Sequence, residues 1–261
     1  MKKKDKKITI ENIISVVAVI IFFVLWYVAT ALNWVDQKLI PSPAKTWAAA
    51  KEIMTDGYKG YTLLQHLGYS MERLLQAFLF AVVTAIPIGL LSGFSSKVKA
   101  AIEPFIEFYR PLPPLAYYTL LTLALGIGNE SKVALLFLAC FAPIYVSCVS
   151  AVGRIKQDYI YSAYTVGANR IQVFTTVILP SCLADIFVGL RTAIGVAYST
   201  LVAAEMVAAS SGIGWMVVDA GNWFRNDLIF VGILVMGITG LIIDWGLKYL
   251  EKKIVPWSGK D

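Results

Sequence analysis

The chain has 261 residues, of which 58% are hydrophobic and 15% charged, with a formal net charge of +6. It is long enough for a large core but has too little polar surface to coat one in water, which excludes an ordinary soluble domain and makes a bilayer the natural solvent. Its basic residues are scattered over several segments rather than interleaved with aromatics on one face, which argues against nucleic-acid binding.

A spanning helix needs about 20 mainly apolar residues. Six segments approach that length: 13–32, 74–94, 112–127, 133–152, 186–209 and 228–247. The third is short and begins in prolines. The apolar runs are continuous, without period-two alternation, which favours helices over a barrel. The expected fold class is therefore an all-α integral membrane protein with about six transmembrane helices, forming one domain over 1–261.

The segment MKKKDKK places five lysines before the first span: Lys2, Lys3, Lys4, Lys6 and Lys7. The apolar run behind it is too long for a signal-peptide core, and no small-x-small cleavage site follows. With this end inside, most Lys and Arg fall on inside segments, among them Lys97, Lys99, Arg110, Arg154, Lys156, Arg170, Lys248 and Lys260. Outside segments hold Lys38, Lys45, Lys51, Lys59, Lys132 and Arg225. The bias places both termini in the cytoplasm of a multi-pass protein of the cell's inner membrane.

Residues 33–68 form the longest outside segment. Ser42-Pro43 reads as a helix cap followed by a first-turn proline, and TWAAAKEIM as a short surface helix behind it. His66 is expected outside, with no second metal ligand or catalytic base in view. Glu72 and Arg73 are expected to snorkel at the outer edge of the second span. The segment 95–110 spaces Lys97, Lys99, Glu103 and Glu107 along a helix that runs into Pro111, Pro113 and Pro114. Three prolines in four positions cannot continue a regular helix. The break is either a helix start at the membrane surface or a bent element near the pathway. Cys140, Cys148 and Cys182 match no metal or redox spacing and read as small packing residues.

The segment 158–180, DYIYSAYTVGANRIQVFTTVILP, is a polar, helix-forming insert between two membrane-spanning stretches. Ile160, Ala163 or Tyr164, Gly167, Ile171 and Phe174 recur every three or four residues, which predicts one apolar helix face. Gly167-Ala168-Asn169 reads as a turn between two short helices, and Pro180 as the entry to the fifth span. Tyr161, Ser162, Ala163, Gly167, Ala168, Ile178, Leu179 and Pro180 are the residues of interest. The pattern of a small pair, a glycine four residues on and then Ile-Leu-Pro resembles the cytoplasmic loop with which ABC-importer permeases dock onto an ATPase. The stretches RPLPPLAYYTLL, GIGNESKVALLFLACFAPIYVS, GLRTAIGVAYSTLVAAEMVAASSGIGWMV and IVPWSG are similar to the taurine, sulfonate and nitrate group of these permeases. The last is most like the taurine branch.

The resemblance covers about residue 60 to the end. It implies a type I, MetI-like permease fold, with a core at about 61–250 preceded by an N-terminal span and outer loop at about 1–60. It also implies function as a dimer of two permease copies, two ATPase subunits on the cytoplasmic side and an extracytoplasmic binding protein. ATP and Mg would be held by the ATPase, with no cofactor in this chain. One departure is Tyr161, which stands where the family's loop carries a glutamate.

Charged groups inside a bilayer are costly and so are functional candidates. Arg191 and Glu205 lie in the fifth span, 14 positions apart, so about 21 Å along one face. They either line a translocation path or pair with other helices to fix the fold. Ser199 and Thr200 on the same helix, and Pro113 and Pro114, are further path candidates. Asp244 and Lys248 are spaced as a surface ion pair. Trp215 and Trp223, with Asp219 and Asp227, are either interfacial anchors or part of a face for a docked binding protein.

No Walker A pattern occurs, so ATP must be handled elsewhere. One histidine is too few for an intramembrane nucleophile–base pair or metal cluster, which argues against an enzyme. A secondary transporter would not explain 158–180. The expected function is a permease for taurine or a related alkanesulfonate, with nitrate-like anions or a pyrimidine precursor as alternatives.

Overall fold

The computed structural model describes residues 10–257. Lys2, Lys3, Lys4, Lys6, Lys7 and Lys260, on which part of the topology argument rests, lie outside the described residues. The fold is helical. In chain order the helices are α1 (Ile10–Ala31), α2 (Pro43–Thr55), α3 (Leu63–Phe94), α4 (Ser96–Tyr109), α5 (Pro114–Leu125) and α6 (Asn129–Gly153). They continue with α7 (Gln157–Thr165), α8 (Arg170–Val173), a π-helical turn (Phe174–Ile178), α9 (Leu179–Ala208), α10 (Ile213–Asn222) and α11 (Asn226–Ile254).

Among the described residues, five stretches are long and apolar enough to cross a membrane: Ile13–Ala31, Leu63–Phe94, Asn129–Gly153, Arg170–Val207 and Asn226–Ile254. The third of the six expected spans is the shorter apolar helix Pro114–Leu125. Its 12 residues rise only about 18 Å. Pro113 and Pro114 set its start, because proline fits a first helical turn but not an interior. The second span begins 11 residues before the expected position, and the fifth is helical from Arg170.

The chain divides into two compact units. The first comprises Met1–Leu63 and Met216–Leu234. Within it, α1 leaves nearly all its apolar side chains exposed, as expected of a helix whose solvent is lipid. Trp26 of α1 holds the end of the loop that leads into α2: its indole N–H donates to the Pro41 carbonyl at 3.0 Å, and its ring stacks on Phe230. The expected cap is present, with Ser42 Oγ accepting from the Lys45 amide at 3.3 Å ahead of Pro43. The Tyr58 hydroxyl donates to Asp219 Oδ2 at 2.6 Å. Burial, reinforced by that hydrogen bond, pushes the Tyr58 hydroxyl well above its ordinary pKa. Lys59 also reaches Asp219 at 3.7 Å and sits over the Trp223 ring.

The second unit comprises Leu64–Trp215 and Val235–Asp261. Its core is built from α3, α6 and α9, with Leu74, Ala81, Ala85, Cys140, Ile144, Cys148, Ile186, Ala193 and Ala197 among the buried residues. All three cysteines are buried and free, so they pack as small apolar groups. Gly89 and Gly93 form a small-xxx-small pair on α3. A Cβ at Gly89 would lie 2.7 Å from Cys148 Cβ, and one at Gly93 would lie 2.6 Å from Val152 Cβ. Small residues at such crossings let backbones approach closely, which is where membrane helices gain van der Waals attraction.

Candidate functional site

The segment 158–180 folds as two helical pieces around a sharp turn, as its sequence predicts. α7 ends in a Schellman motif: the Ala168 amide donates to the Ala163 carbonyl at 3.1 Å, and the Gly167 amide to the Tyr164 carbonyl at 2.9 Å. This geometry needs a residue in the left-handed region just past the helix, and Gly167 supplies it with φ 89°. Ala163 and Ala168 then lie together and pack on the core, with Ile160 and Phe174. Asn169 restarts the helix through a capping box, with its side chain accepting from the Gln172 amide at 2.9 Å and Gln172 Oε1 accepting from the Asn169 amide at 2.8 Å. The small residues of the motif thus have a local cause: they close one helix and open the next in four positions.

The apolar face is not the continuous one that the spacing predicts. Ile160, Ala163 and Phe174 point to the core, but Ile171 is 75% exposed. The turn resets the helical phase, so one period cannot run through it. Tyr159, Tyr161, Val166 and Ile171 are all exposed, and so is Ser162, although Tyr159 and Tyr161, two positions apart, lie on different faces of α7. A segment this rich in exposed large apolar groups is a marker of an interaction site.

Behind the turn, Phe174–Ile178 adopts a π-helix that runs directly into α9. Thr176 Oγ1 donates to the Gln172 carbonyl at 2.6 Å and Thr175 Oγ1 to the Ile171 carbonyl at 2.9 Å. Ile178 is fully buried, and Leu179 and Pro180 are half-buried at the start of α9. Single π turns inside α-helices recur at functional sites. Here the turn sets the phase between the exposed surface and α9.

The ionisable residues expected in the membrane are not brought together. Arg191 Nε donates to Asp244 Oδ1 at 2.8 Å, and Lys248 holds the other oxygen of Asp244 at 2.6 Å. Glu251 lies 4.0 Å from Arg191. Nearby, Arg154 pairs with Asp185 at 2.9 Å. Glu205 instead closes a separate, buried cluster. Its Oε1 accepts from Arg73 Nη1 at 2.7 Å and from Ser70 Oγ at 2.8 Å, and its Oε2 accepts from the Gly214 amide at 2.8 Å. Arg73 also donates to the Ser211 carbonyl at 2.9 Å and, through Nε, to Asn129 Oδ1 at 2.9 Å. Every charged oxygen therefore has a partner, as burial demands.

One expectation is corrected by this cluster. Arg73 does not snorkel: it is 5% exposed, because Glu205 and Ser211 neutralise and solvate it inside the unit. His66 beside it is fully buried, its Nδ1 accepts from the Gly212 amide at 3.1 Å, and its ring stacks on Trp215. The sequence carried only a weak signal for either, a polar run at the head of an apolar helix. Of the remaining path candidates, Thr200 is buried and bonds back to the Val196 carbonyl at 2.9 Å. Ser199 is exposed and does the same at 2.8 Å. Pro113 is exposed and caps α5, and Pro114 is half-buried as its first residue.

The chain is similar in sequence to several proteins of known name. The taurine transport system permease protein TauC of Escherichia coli (strain K12) is 38% identical over 248 residues, covering 95% of this chain and 90% of that protein. The protein named as the aliphatic sulfonates transport permease SsuC in Bacillus subtilis (strain 168) is 30% identical over 91% of this chain and 84% of its own length. Among solved structures, an inward-facing form of the MetNI methionine ABC transporter superposes with a TM-score of 0.66 at 15% identity, over 74% of this chain and 95% of that one. That likeness shows a shared MetI-like fold. The profile of binding-protein-dependent transport system inner membrane components matches residues 85–256, and the chain belongs to that family.

Proposed function

We propose that this permease forms half of the translocation pathway for taurine or a related alkanesulfonate, delivered by an extracytoplasmic binding protein. Two copies would assemble with two ATPase subunits, which bind ATP and Mg on the cytoplasmic side. Both termini would lie in the cytoplasm, as the charge bias argues. The exposed surface of Tyr159, Tyr161, Val166 and Ile171, held by the Gly167 turn, carries this reading. It is an apolar, preformed helix surface of the kind that seats in a partner's groove. Tyr161 replaces the family's glutamate there, so docking would rely on aromatic burial more than on charge pairing. Closure of the ATPase pair would move α7 and α8, and the π turn would pass that motion to α9.

Arg191 and Glu205 act in this scheme by holding α9 to the second unit's other helices. Ser199, Thr200 and the Pro113-Pro114 break are the path candidates that face neither ion pair. The substrate class rests on the likeness to TauC, reinforced by SsuC. The test is uptake of labelled taurine into liposomes carrying the permease, its ATPase and its binding protein. ATP-dependent accumulation supports the proposal. Uptake that proceeds without ATP or binding protein would point to a secondary transporter.

A further inference from the structure

Between α1 and α2 of the first unit, the chain folds back along α1. Trp26 lies five positions before Ala31, where α1 ends, and so about 7.5 Å short of that end. Helical side chains also lean toward the N-terminus. Even so, the Trp26 indole N–H reaches the Pro41 carbonyl at 3.0 Å, and its ring stacks on Phe230, one turn into α11. Gln37 is held in the same band, with Nε2 donating to the Thr30 carbonyl at 3.0 Å. The far end of α2 is tied there too: Glu52 pairs at 2.9 Å with Arg225, the residue before α11 begins. Both ends of α2 are therefore fixed near the level where two membrane-spanning helices, α1 and α11, meet the edge of the bilayer. α2 lies across that level and does not stand away from it.

The side chains of this band suit a headgroup layer. Leu32, Trp34, Leu39, Trp47 and Phe224 are all exposed, Leu39 by 69% and Phe224 by 89%. Large apolar groups gathered on one surface mark an interaction site, and aromatic rings are favoured at the membrane–water interface. Phe224 is the sharpest case. The Arg225 amide donates to the Ala220 carbonyl at 2.9 Å and the Phe224 amide to the Gly221 carbonyl at 3.1 Å, a Schellman turn that puts Phe224 in the left-handed region at φ 55°. Glycine is usual there, because a side chain is strained. Contacts within the chain do not offset that strain for so exposed a ring, whereas burial among lipids does.

Charge then selects the lipid. Lys38 and Lys45 line a pocket of about 600 Å³ together with Leu39 and Phe224. Both lysines are exposed, so a headgroup can reach them. The carboxylates of the same pocket, Glu52 and Asp227, are both held by Arg225, at 2.9 and 3.0 Å. Asp36 Oδ1 accepts from the Lys38 amide at 2.8 Å. A third exposed cation, Lys51, lies over the Trp47 ring. Each cation near a membrane surface favours anionic lipid on the order of fivefold. We propose that the 32–41 loop and α2 form a docking surface for anionic phospholipid, with Lys38 and Lys45 taking the phosphate and Leu39 and Phe224 lying against the lipid below it. The surface holds the first unit at a fixed height in the bilayer. This assignment depends neither on the solute carried nor on which leaflet this end of α1 meets.

The test is tryptophan fluorescence of the full-length permease in phosphatidylcholine vesicles that carry a minor fraction of brominated lipid, whose bromines quench nearby indoles. The difference between wild type and Trp47→Phe isolates the Trp47 emission. Brominated phosphatidylglycerol should quench that emission at least twofold more than brominated phosphatidylcholine at the same fraction. Combining Lys38→Gln with Lys45→Gln should bring the ratio close to one, and so should high salt, which screens exposed charges. All three side chains are exposed, so the variants should fold as the wild type does. Equal quenching by the two lipids in the wild type, or a preference that survives both lysine substitutions, overturns the anionic site. Absence of quenching by either lipid overturns the membrane contact itself. If neither lipid quenches and a loaded extracytoplasmic binding protein shifts the Trp47 emission instead, the surface belongs to that protein and the lipid assignment fails.

Discussion

Arg73 Nη1 lies 2.7 Å from Glu205 Oε1, with side-chain exposures of 7% and 0%, across 132 positions of sequence. The pair joins α3 to the end of α9, and Gly214 and Ser211 complete its shell. Such a pair returns little net stability against apolar residues of the same volume, but breaking it leaves one charge buried alone. Arg73→Ala and Glu205→Ala should each destabilise the protein by about 3–5 kcal/mol. Replacing both, as Arg73→Met with Glu205→Leu, should recover part of that loss. Thermal unfolding of the purified variants in detergent checks this. A double variant no better than the singles would mean that the cluster, not the charge pair, carries the effect.

Two glycines with positive φ should respond very differently to alanine. Gly212 has φ 121°, and a Cβ there would lie 2.3 Å from Glu205 Oε1. Gly167 has φ 89° with nothing within 4 Å. Gly167→Ala meets only left-handed backbone strain, about 1–2 kcal/mol. Gly212→Ala adds a clash with a buried carboxylate that cannot move without losing its partners. The expected outcome is folded Gly167→Ala protein in the membrane and little or no folded Gly212→Ala protein, measured as the monodisperse yield after extraction.

The second span shows where sequence ceases to be legible. Its apolar run reads clearly from Leu74, but α3 begins at Leu63 because His66, Ser70 and Arg73 are satisfied by residues more than 130 positions away. No local pattern announces such partners, so polar residues at a helix head read as surface. The segment 158–180 was legible for the opposite reason. Gly167, Asn169 and Gln172 act within a few residues of themselves, and their types name their roles. The exposure of Ile171 was missed because the turn breaks the helical phase. The π turn was invisible because hydroxyls at Thr175 and Thr176 are equally at home in an α-helix. The approach of α3 to α6 did leave a signal, the Gly89–Gly93 spacing.

The π turn makes a prediction of its own. Deleting exposed Thr176 should let Phe174–Ile178 close as ordinary α-helix, and because a π turn holds one residue more than an α turn over nearly the same rotation, the segment ahead of it should keep its phase to α9. The protein should still fold, since Ile160, Ala163 and Phe174 contribute only the margin of the core. Uptake should fall, because the wide turn proposed to pass motion to α9 is gone although the phase is kept. Extraction yield together with uptake by the reconstituted complex reads both quantities. Normal uptake by the deletion variant would show that the π turn has no role in transmission.

In the proposed scheme, ATP hydrolysis by a separate subunit drives this chain through the segment around the Gly167 turn. The most direct measurement is the ATPase rate of the complete reconstituted complex, with taurine-loaded and with empty binding protein, for the wild type and for Gly167→Glu. The account predicts stimulation by the loaded binding protein in the wild type and its loss in Gly167→Glu, with the permease still folded. Stimulation that survives Gly167→Glu, or a wild-type permease that associates with no ATPase, would contradict it.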